Sequence, residues 1–231
     1  MNTQAFWTPT PSKSDQARIR LLEAAVAIFG EKGLEGATVR EIAKRAGQNV
    51  AAIAYYFGSK EKLYFAVIEG IVRELRYRLG DEFAAIEAFR QAEQKSPEEA
   101  LRLLKQFLCT VYVRLISRSE SVSIARLIVR EQTQPTVGFD LLYEKGFQPL
   151  HEALCFLVGT ILGKNPRDRE TMLRTTAVMG QVYFFAMARE GILRRLGWSN
   201  FEGKNADCAT AVIAENIDVL MSGLMLKPSS E

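Results

Sequence analysis

The sequence predicts an all-α protein of about nine helices, and three observations carry that expectation. Apolar residues recur at intervals of three and four through most of the chain, as in Ile19, Leu22, Val26 and Phe29. Caps, glycines and prolines punctuate these stretches at helix-length spacing. No run alternates apolar and polar residues as a half-buried strand does, and no segment repeats.

Taken in order, residues 1–14 read as a mobile arm, polar at its start with two prolines, in which Phe6 and Trp7 stand out. The first helix begins at Ser12 or Ser14 and runs to Lys32. Gly30, Gly33 and Gly36 follow, with no strand before them and no GK[ST] after. They therefore end a helix rather than cradle a phosphate.

Residues 38–63, TVREIAKRAGQNVAAIAYYFGSKEKL, read as two short helices and the start of a third. Thr38 and Glu41 have the spacing of a reciprocal capping box. Val39, Ile42, Ala43 and Ala46 form one apolar stripe, and Gly47 ends it where a left-handed residue is needed. Asn49 can cap a second helix whose inward face is Val50, Ile53, Ala54 and Phe57, leaving Ala51, Ala52 and Tyr55 outward. Gly58 stops it and Ser59 caps the next. Two helices joined this tightly, the second presenting small and hydrogen-bonding side chains, form a helix-turn-helix DNA reader, spanning about residues 38–57.

Beyond Ser59 a long helix is expected to residue 94, relaxed near Gly80. Ser96-Pro97-Glu98-Glu99 starts another by cap, first-turn proline and acid, running to Arg118. Further helices are expected over 121–132, broken before Pro135, and over 137–162, kinked between Gly146 and Pro149 because proline lacks a backbone donor. Asn165-Pro166-Arg167-Asp168 opens a helix to Arg189, residues 191–203 form a loop, and the last helix spans 206–226.

Composition narrows the function classes. With 48% hydrophobic and 25% charged residues, 231 residues suffice for a substantial core. No apolar run approaches the ~18 residues of a membrane span. Residues 1–14 lack the apolar core of a secretory signal. Cys109, Cys155 and Cys208 are odd in number, far apart and form no CxxC, which fits a reducing compartment; the chain is expected to be cytoplasmic, with no membrane partner. Residues 1–60 carry eight Lys/Arg against five Asp/Glu, whereas the other 171 carry 22 of each, so the whole net charge of +3 sits with the reader.

An enzyme is not expected. One histidine and three scattered cysteines give no metal cluster, and no GxSxG, Walker or dinucleotide fingerprint occurs, so no metal, cofactor or catalytic residue is assigned. Carboxylates such as Glu131 could do acid–base work if buried, but pairing with an arginine is expected instead.

The order T-x-R-x-I-A-x-x-A-G, then a helix ending Y-x-F, then S-K-E-x-L, stands here as Thr38, Arg40, Ile42, Ala43, Ala46, Gly47, Tyr55, Phe57, Ser59, Lys60, Glu61 and Leu63. Over about residues 15–75 it resembles the TetR family of transcriptional regulators. Arg130-Glu131-Gln132-x-x-Pro135-Thr136, Pro149-Leu150-His151 and Gly197-Trp198 further resemble the CecR-type subgroup. The resemblance implies a three-helix DNA-binding domain over 15–75 and a larger effector-binding and dimerising domain over 80–231.

It also implies site residues. Thr38, Arg40, Tyr56 and Lys60 would meet phosphates of double-stranded operator DNA. Gln48, Asn49, Ala51, Ala52 and Tyr55 would face the major groove, the turn Gln48-Asn49 standing where the family usually has Val-Ser. A homodimer interface would use Met172, Thr176, Met179, Gly180 and Phe184 with Val212, Asn216, Val219 and Leu220. A small-molecule effector would meet Phe107, Tyr112, Arg126, Phe147, His151, Phe156 and Tyr183, although core packing accounts for each of these singly. The expected function is a sequence-specific repressor released from its operator by that effector. An activator on the same fold and a helical protein–protein adaptor are the alternatives; Arg40, Lys60 and the local charge argue against the adaptor.

Overall fold

The computed structural model describes residues 13–226. The arm expected over 1–14, with Phe6 and Trp7, lies outside them except for Lys13 and Ser14, which open the first helix. Among the described residues every regular element is helical. In chain order these are α1 (Lys13–Gly36), α2 (Val39–Arg45), α3 (Val50–Phe57), α4 (Lys60–Arg78), α5 (Gly80–Gln91), α6 (Pro97–Val111), α7 (Val122–Thr133), α8 (Phe139–Leu142), α9 (Gln148–Leu162), α10 (Arg169–Met187), α11 (Arg189–Leu196) and α12 (Lys204–Met225). Wide π-helical turns extend α6 over Tyr112–Ser117 and join α8 to α9 over Tyr143–Phe147.

The chain divides into two compact units. The first comprises the chain up to Arg76 together with Val122–Gly146; the second comprises Tyr77–Ser121 and the chain from Phe147 onward. Val122–Gly146 therefore packs with the helix-turn-helix, although the sequence reads it as part of the C-terminal region. In the first unit α1 packs most extensively on α7, and its Leu21, Leu22, Ala25 and Phe29 are fully buried. Ile42, Ile53, Leu63, Val67 and Ile71 complete that core, and Phe29 meets Tyr64 edge-on at 4.9 Å. Burying each such side chain contributes about 1.5–3 kcal/mol, which is what holds helices as short as α2 and α3.

In the second unit α6 is the central helix, packed by α5, α9, α10 and α12. Leu104 and Phe107 of α6 meet Leu154, Leu157 and Val158 of α9, Val178 and Val182 of α10 and Ile213, Ile217 and Met221 of α12 in one core.

Three local expectations change. The long helix after Ser59 stops at Leu79, whose ψ of 10° is non-helical and whose side chain is buried. Residues 191–203, expected as a loop, begin inside α11, whose Leu193 is buried and which a left-handed Gly197 ends. Finally, α12 is by length and composition apolar enough to cross a membrane, with a mean hydropathy of 1.4 over 18 residues. Its buried side is the stripe Ala206, Ala209, Ile213, Ile217 and Met221.

Candidate nucleic-acid interface

The helix-turn-helix is built as its caps prescribe. Thr38 Oγ1 accepts the Glu41 amide at 3.2 Å, and Glu41 Oε2 accepts the Thr38 amide at 3.1 Å, closing the capping box. Lys32 pairs with the same carboxylate, and that bond, then Thr38, holds the Glu41 carboxyl below its ordinary range. At the end of α2 the amides of Gly47 and Gln48 return to Lys44 O and Ala43 O at 3.2 and 2.9 Å. That closure needs a left-handed residue, and Gly47 supplies it at φ 62°. Asn49 Oδ1 accepts the Ala51 amide at 3.0 Å and starts α3. Ser59 Oγ accepts the Lys62 amide at the head of α4.

On α3 the buried residues are Ile53 and Phe57, with Arg18 of α1 5.4 Å over the Phe57 ring. Tyr55 is 81% exposed and Ala51 exposed, as expected; Ala52 and Gln48 are half-buried. Val50 and Ala54, expected inward, are exposed, Val50 by 40%. Only Ile53 and Phe57, four apart, can face the core of so short a helix, and the two flanking positions are turned out. Tyr56 is half-buried with its ring edge-on to Tyr55 at 4.9 Å.

The cations are less available than their count suggests. Arg40 and Lys44 are exposed on α2. Arg45 pairs with Glu31 at 3.3 Å. Lys60 donates to Leu34 O at 2.9 Å and Ala37 O at 3.3 Å, so two of its three donors tie down the end of α1. Thr38 spends its hydroxyl proton on Glu41 Oε2 at 2.9 Å, leaving acceptor capacity only.

A second cation closes on the same turn. Gly33 has φ 74°, and a Cβ there would stand 3.0 Å from Arg130 Nη1 and 3.2 Å from its Cδ. Arg130 Nη2 donates to Glu31 O at 3.2 Å. The acid next to it, Glu131, is fully buried and, contrary to expectation, pairs with no arginine among the described residues. It accepts from the Tyr64 hydroxyl, from Thr136 Oγ1 at 2.8 Å and from the Thr136 amide at 3.3 Å. Burial, then this bond, raises the Tyr64 phenol far above its usual value. The Arg-Glu-Gln-x-x-Pro-Thr segment thus locks α7 onto α1 and α4. Its long-range partners are not visible from spacing.

In the second unit the residues expected around an effector separate. Arg126 is not among them: it is exposed on α7, in the first unit. Phe107 is core, edge-on to Phe83 at 5.4 Å. Tyr112 is fully buried between Phe185 and Phe201, and burial pushes its phenol up to about 12. Phe156 is half-buried against Phe89, with Arg90 4.7 Å over its ring. Phe147 and Tyr183 are half-buried.

His151 spends both nitrogens internally. Thr176 gives its proton to Met172 O at 2.9 Å, so His151 Nε2 must donate to Thr176 Oγ1 at 3.2 Å. Nδ1 then accepts the Cys155 thiol at 3.4 Å. Burial lowers the imidazole and raises the thiol, so both stay neutral and no thiolate–imidazolium pair forms. Among the described residues no group of three or more His, Cys, Asp or Glu could hold a metal.

The residues expected to dimerise lie largely in the open. Met172, Thr176, Gly180, Phe184, Val212, Asn216 and Val219 are exposed, Phe184 by 60% and Val219 by 69%, while Met179 and Leu220 are half-buried. Phe184, Val212, Asn216, Val219 and Leu220 line one groove of about 620 Å³ between α10 and α12, with Gln181 and Phe185. Exposed Leu173 and Met187 extend the apolar stripe on α10; their spacing from Gly180 and Phe184 was the available signal.

A capped helix, a glycine turn and a second helix with its outer face in solvent define a DNA-binding transcriptional regulator. Residues 21–67 match the bacterial regulatory proteins of the tetR family, and residues 97–224 match the C-terminal domain of the HTH-type transcriptional dual regulator CecR. The chain belongs to the TetR family, with a C-terminal domain of the CecR type. It is 37% identical to the dual regulator CecR of Shigella flexneri over 92% of this chain and 94% of that one. It is also 37% identical to the transcriptional repressor NicS of Pseudomonas putida, over 44% of each. The fold is that of the TetR family regulator PfmR of Thermus thermophilus, with a TM-score of 0.59 and 18% identity over 96% of this chain and all of that one.

Proposed function

We propose that the protein is a cytoplasmic homodimer that represses transcription by holding operator DNA and lets go when a small molecule binds its C-terminal domain. The observation that carries this is α3: a capped helix after a glycine turn, with Tyr55 and its neighbours turned outward. Arg40, Tyr56 and the remaining donor of Lys60 would contact phosphates, with Thr38 capping the helix that presents Arg40. Gln48, Asn49, Ala51, Ala52 and Tyr55 would lie along the major groove. The stripe of α10 and α12, too apolar to stay exposed, supports pairing with a second copy, which would set two α3 helices on half-sites about 34–36 Å apart. The match to the C-terminal domain of a regulator supports release by a ligand, and the half-buried aromatics Phe147, Phe156 and Tyr183 suit an aromatic or amphipathic one.

Activation is the second reading, because the relative matching the whole chain is described as a dual regulator. Mobility shifts with genomic fragments test the common part. A retarded fragment is expected at low salt, and Tyr55→Ala should weaken it without changing dimerisation. If no fragment binds at low salt, the operator-binding reading fails. A reporter on the selected fragment, assayed with and without the gene, then separates repression from activation by the sign of the change.

A further inference from the structure

The face that α3 offers to DNA has an unusual chemistry for a sequence reader. From Val50 to Phe57 the helix holds no charged residue, no amide side chain and no aliphatic hydroxyl. Its exposed residues are Val50, Ala51, Ala54 and Tyr55, which at spacings of three and four form one continuous strip beside the buried Ile53 and Phe57, with Val50 at the edge nearest Phe57. Val50 occupies the first turn, the part of a recognition helix that reaches base edges. The neighbouring amide is half spent, since Asn49 Oδ1 is held by the Ala51 N–H. Asn49 keeps both amide donors, but its oxygen is anchored to the backbone by the Ala51 N–H, so the side chain is less free to swing into the two-point donor–acceptor pair that recognises adenine. Tyr55 stands braced edge-on against Tyr56, with its hydroxyl at the far end of the strip.

The major-groove edges of guanine, adenine and cytosine are polar, and an alkyl side chain pressed on them leaves acceptors or donors unsatisfied. Thymine alone adds an apolar group there, its C5 methyl. A strip of valine and alanine gains from burying that methyl and loses by covering any other edge. Resting on the DNA-reading function above, we propose that α3 recognises its half-site through thymine methyl groups, with Val50 as the principal contact and Ala51 and Ala54 shaping the pocket into which the methyls fit.

Replacing thymine by deoxyuridine removes the methyl alone and leaves every hydrogen-bonding group in place. In the operator selected from genomic fragments, each thymine of one half-site is replaced singly, and affinity of the full-length protein is measured at fixed salt. At two or more positions the replacement should weaken binding about fourfold, the ratio equivalent to about 0.8 kcal/mol for one buried methyl. With Val50→Ala, one of those positions should lose its sensitivity while the others keep theirs. If binding to the intact operator is normal but no uracil changes it by more than about twofold, the methyl reading is wrong and the DNA-reading function stands. If Val50→Ala weakens every operator equally, Val50 is not the methyl contact. If no fragment binds at all, both readings fall together.

Discussion

Removing the Glu131 carboxylate is expected to unfold the first unit at a much lower temperature, although the residue touches neither DNA nor ligand in the proposed function. The side chain is fully buried and accepts three hydrogen bonds, from the Tyr64 hydroxyl and from the hydroxyl and amide of Thr136. Bonds to a charged acceptor contribute about 1.5–3 kcal/mol each, and relief of the buried charge offsets part of that. In Glu131→Ala the Tyr64 hydroxyl is left inside a fully buried residue, and the loss should be about 3–5 kcal/mol. Glu131→Gln keeps an oxygen for the two hydroxyls but turns an NH₂ toward the Thr136 amide, a donor against a donor; about 1–3 kcal/mol is expected. At about 2–4 °C per kcal/mol for a chain of this length, the alanine variant should melt roughly 6–20 °C lower. The assay is thermal unfolding by circular dichroism at one protomer concentration, so that any dimer contributes equally. Tyr64→Phe supplies the cross-check: combined with Glu131→Gln it should lose less than the sum, with a coupling of at least about 0.5 kcal/mol. Changes within about 0.5 kcal/mol for both Glu131→Ala and Tyr64→Phe would refute the reasoning.

The other expectations concern pH, assembly and salt. Burial lowers the pKa of His151, so the unfolded chain takes up a proton first as the medium is acidified. Stability should therefore fall as pH drops below about 6.5, and His151→Gln should flatten melting temperature against pH in that window. Phe184→Glu or Val219→Glu should weaken dimerisation by at least about 30-fold, equivalent to about 2 kcal/mol at an interface anchor, as read by sedimentation. Lys60→Ala should lower the salt slope of operator binding by about one and also cost about 1–3 kcal/mol of stability, because Leu34 O and Ala37 O lose their donor. A reduced slope with unchanged melting would mean that the lysine serves phosphate alone.

What was legible in the sequence was local. Thr38 with Glu41, Gly47, Asn49 and Ser96 with Pro97 sit within four residues of the groups they satisfy, and each forms as its spacing indicates. Val50 and Ala54 misled because a helical wheel assigns any apolar residue to the interior, whereas only Ile53 and Phe57 of α3 have a core to enter. Glu131 misled for the opposite reason: its partner Tyr64 lies 67 residues away, and a phenol leaves no mark near an acid in the chain. The same distance hid the assignment of Val122–Gly146 to the reader's unit. Arg126 fell into the wrong group with it.

Of the seven cations of residues 1–60 whose side chains the structure describes, Lys32 and Arg45 are paired with acids, Arg18 covers Phe57 and Lys60 holds carbonyls, while Arg20, Arg40 and Lys44 are exposed without an ion pair among the described residues. Of these seven, only Lys32 and Arg45 have their charge offset by an acid among the described residues, so formal charge overstates what is free to neutralise phosphate by those two. Burying one methyl would discriminate by about fourfold whatever the phosphate contribution, because a sequence-independent term adds equally to right and wrong sites. A reader that fixes its own turn with Lys60 and Arg130 also avoids the entropy of ordering that turn on DNA.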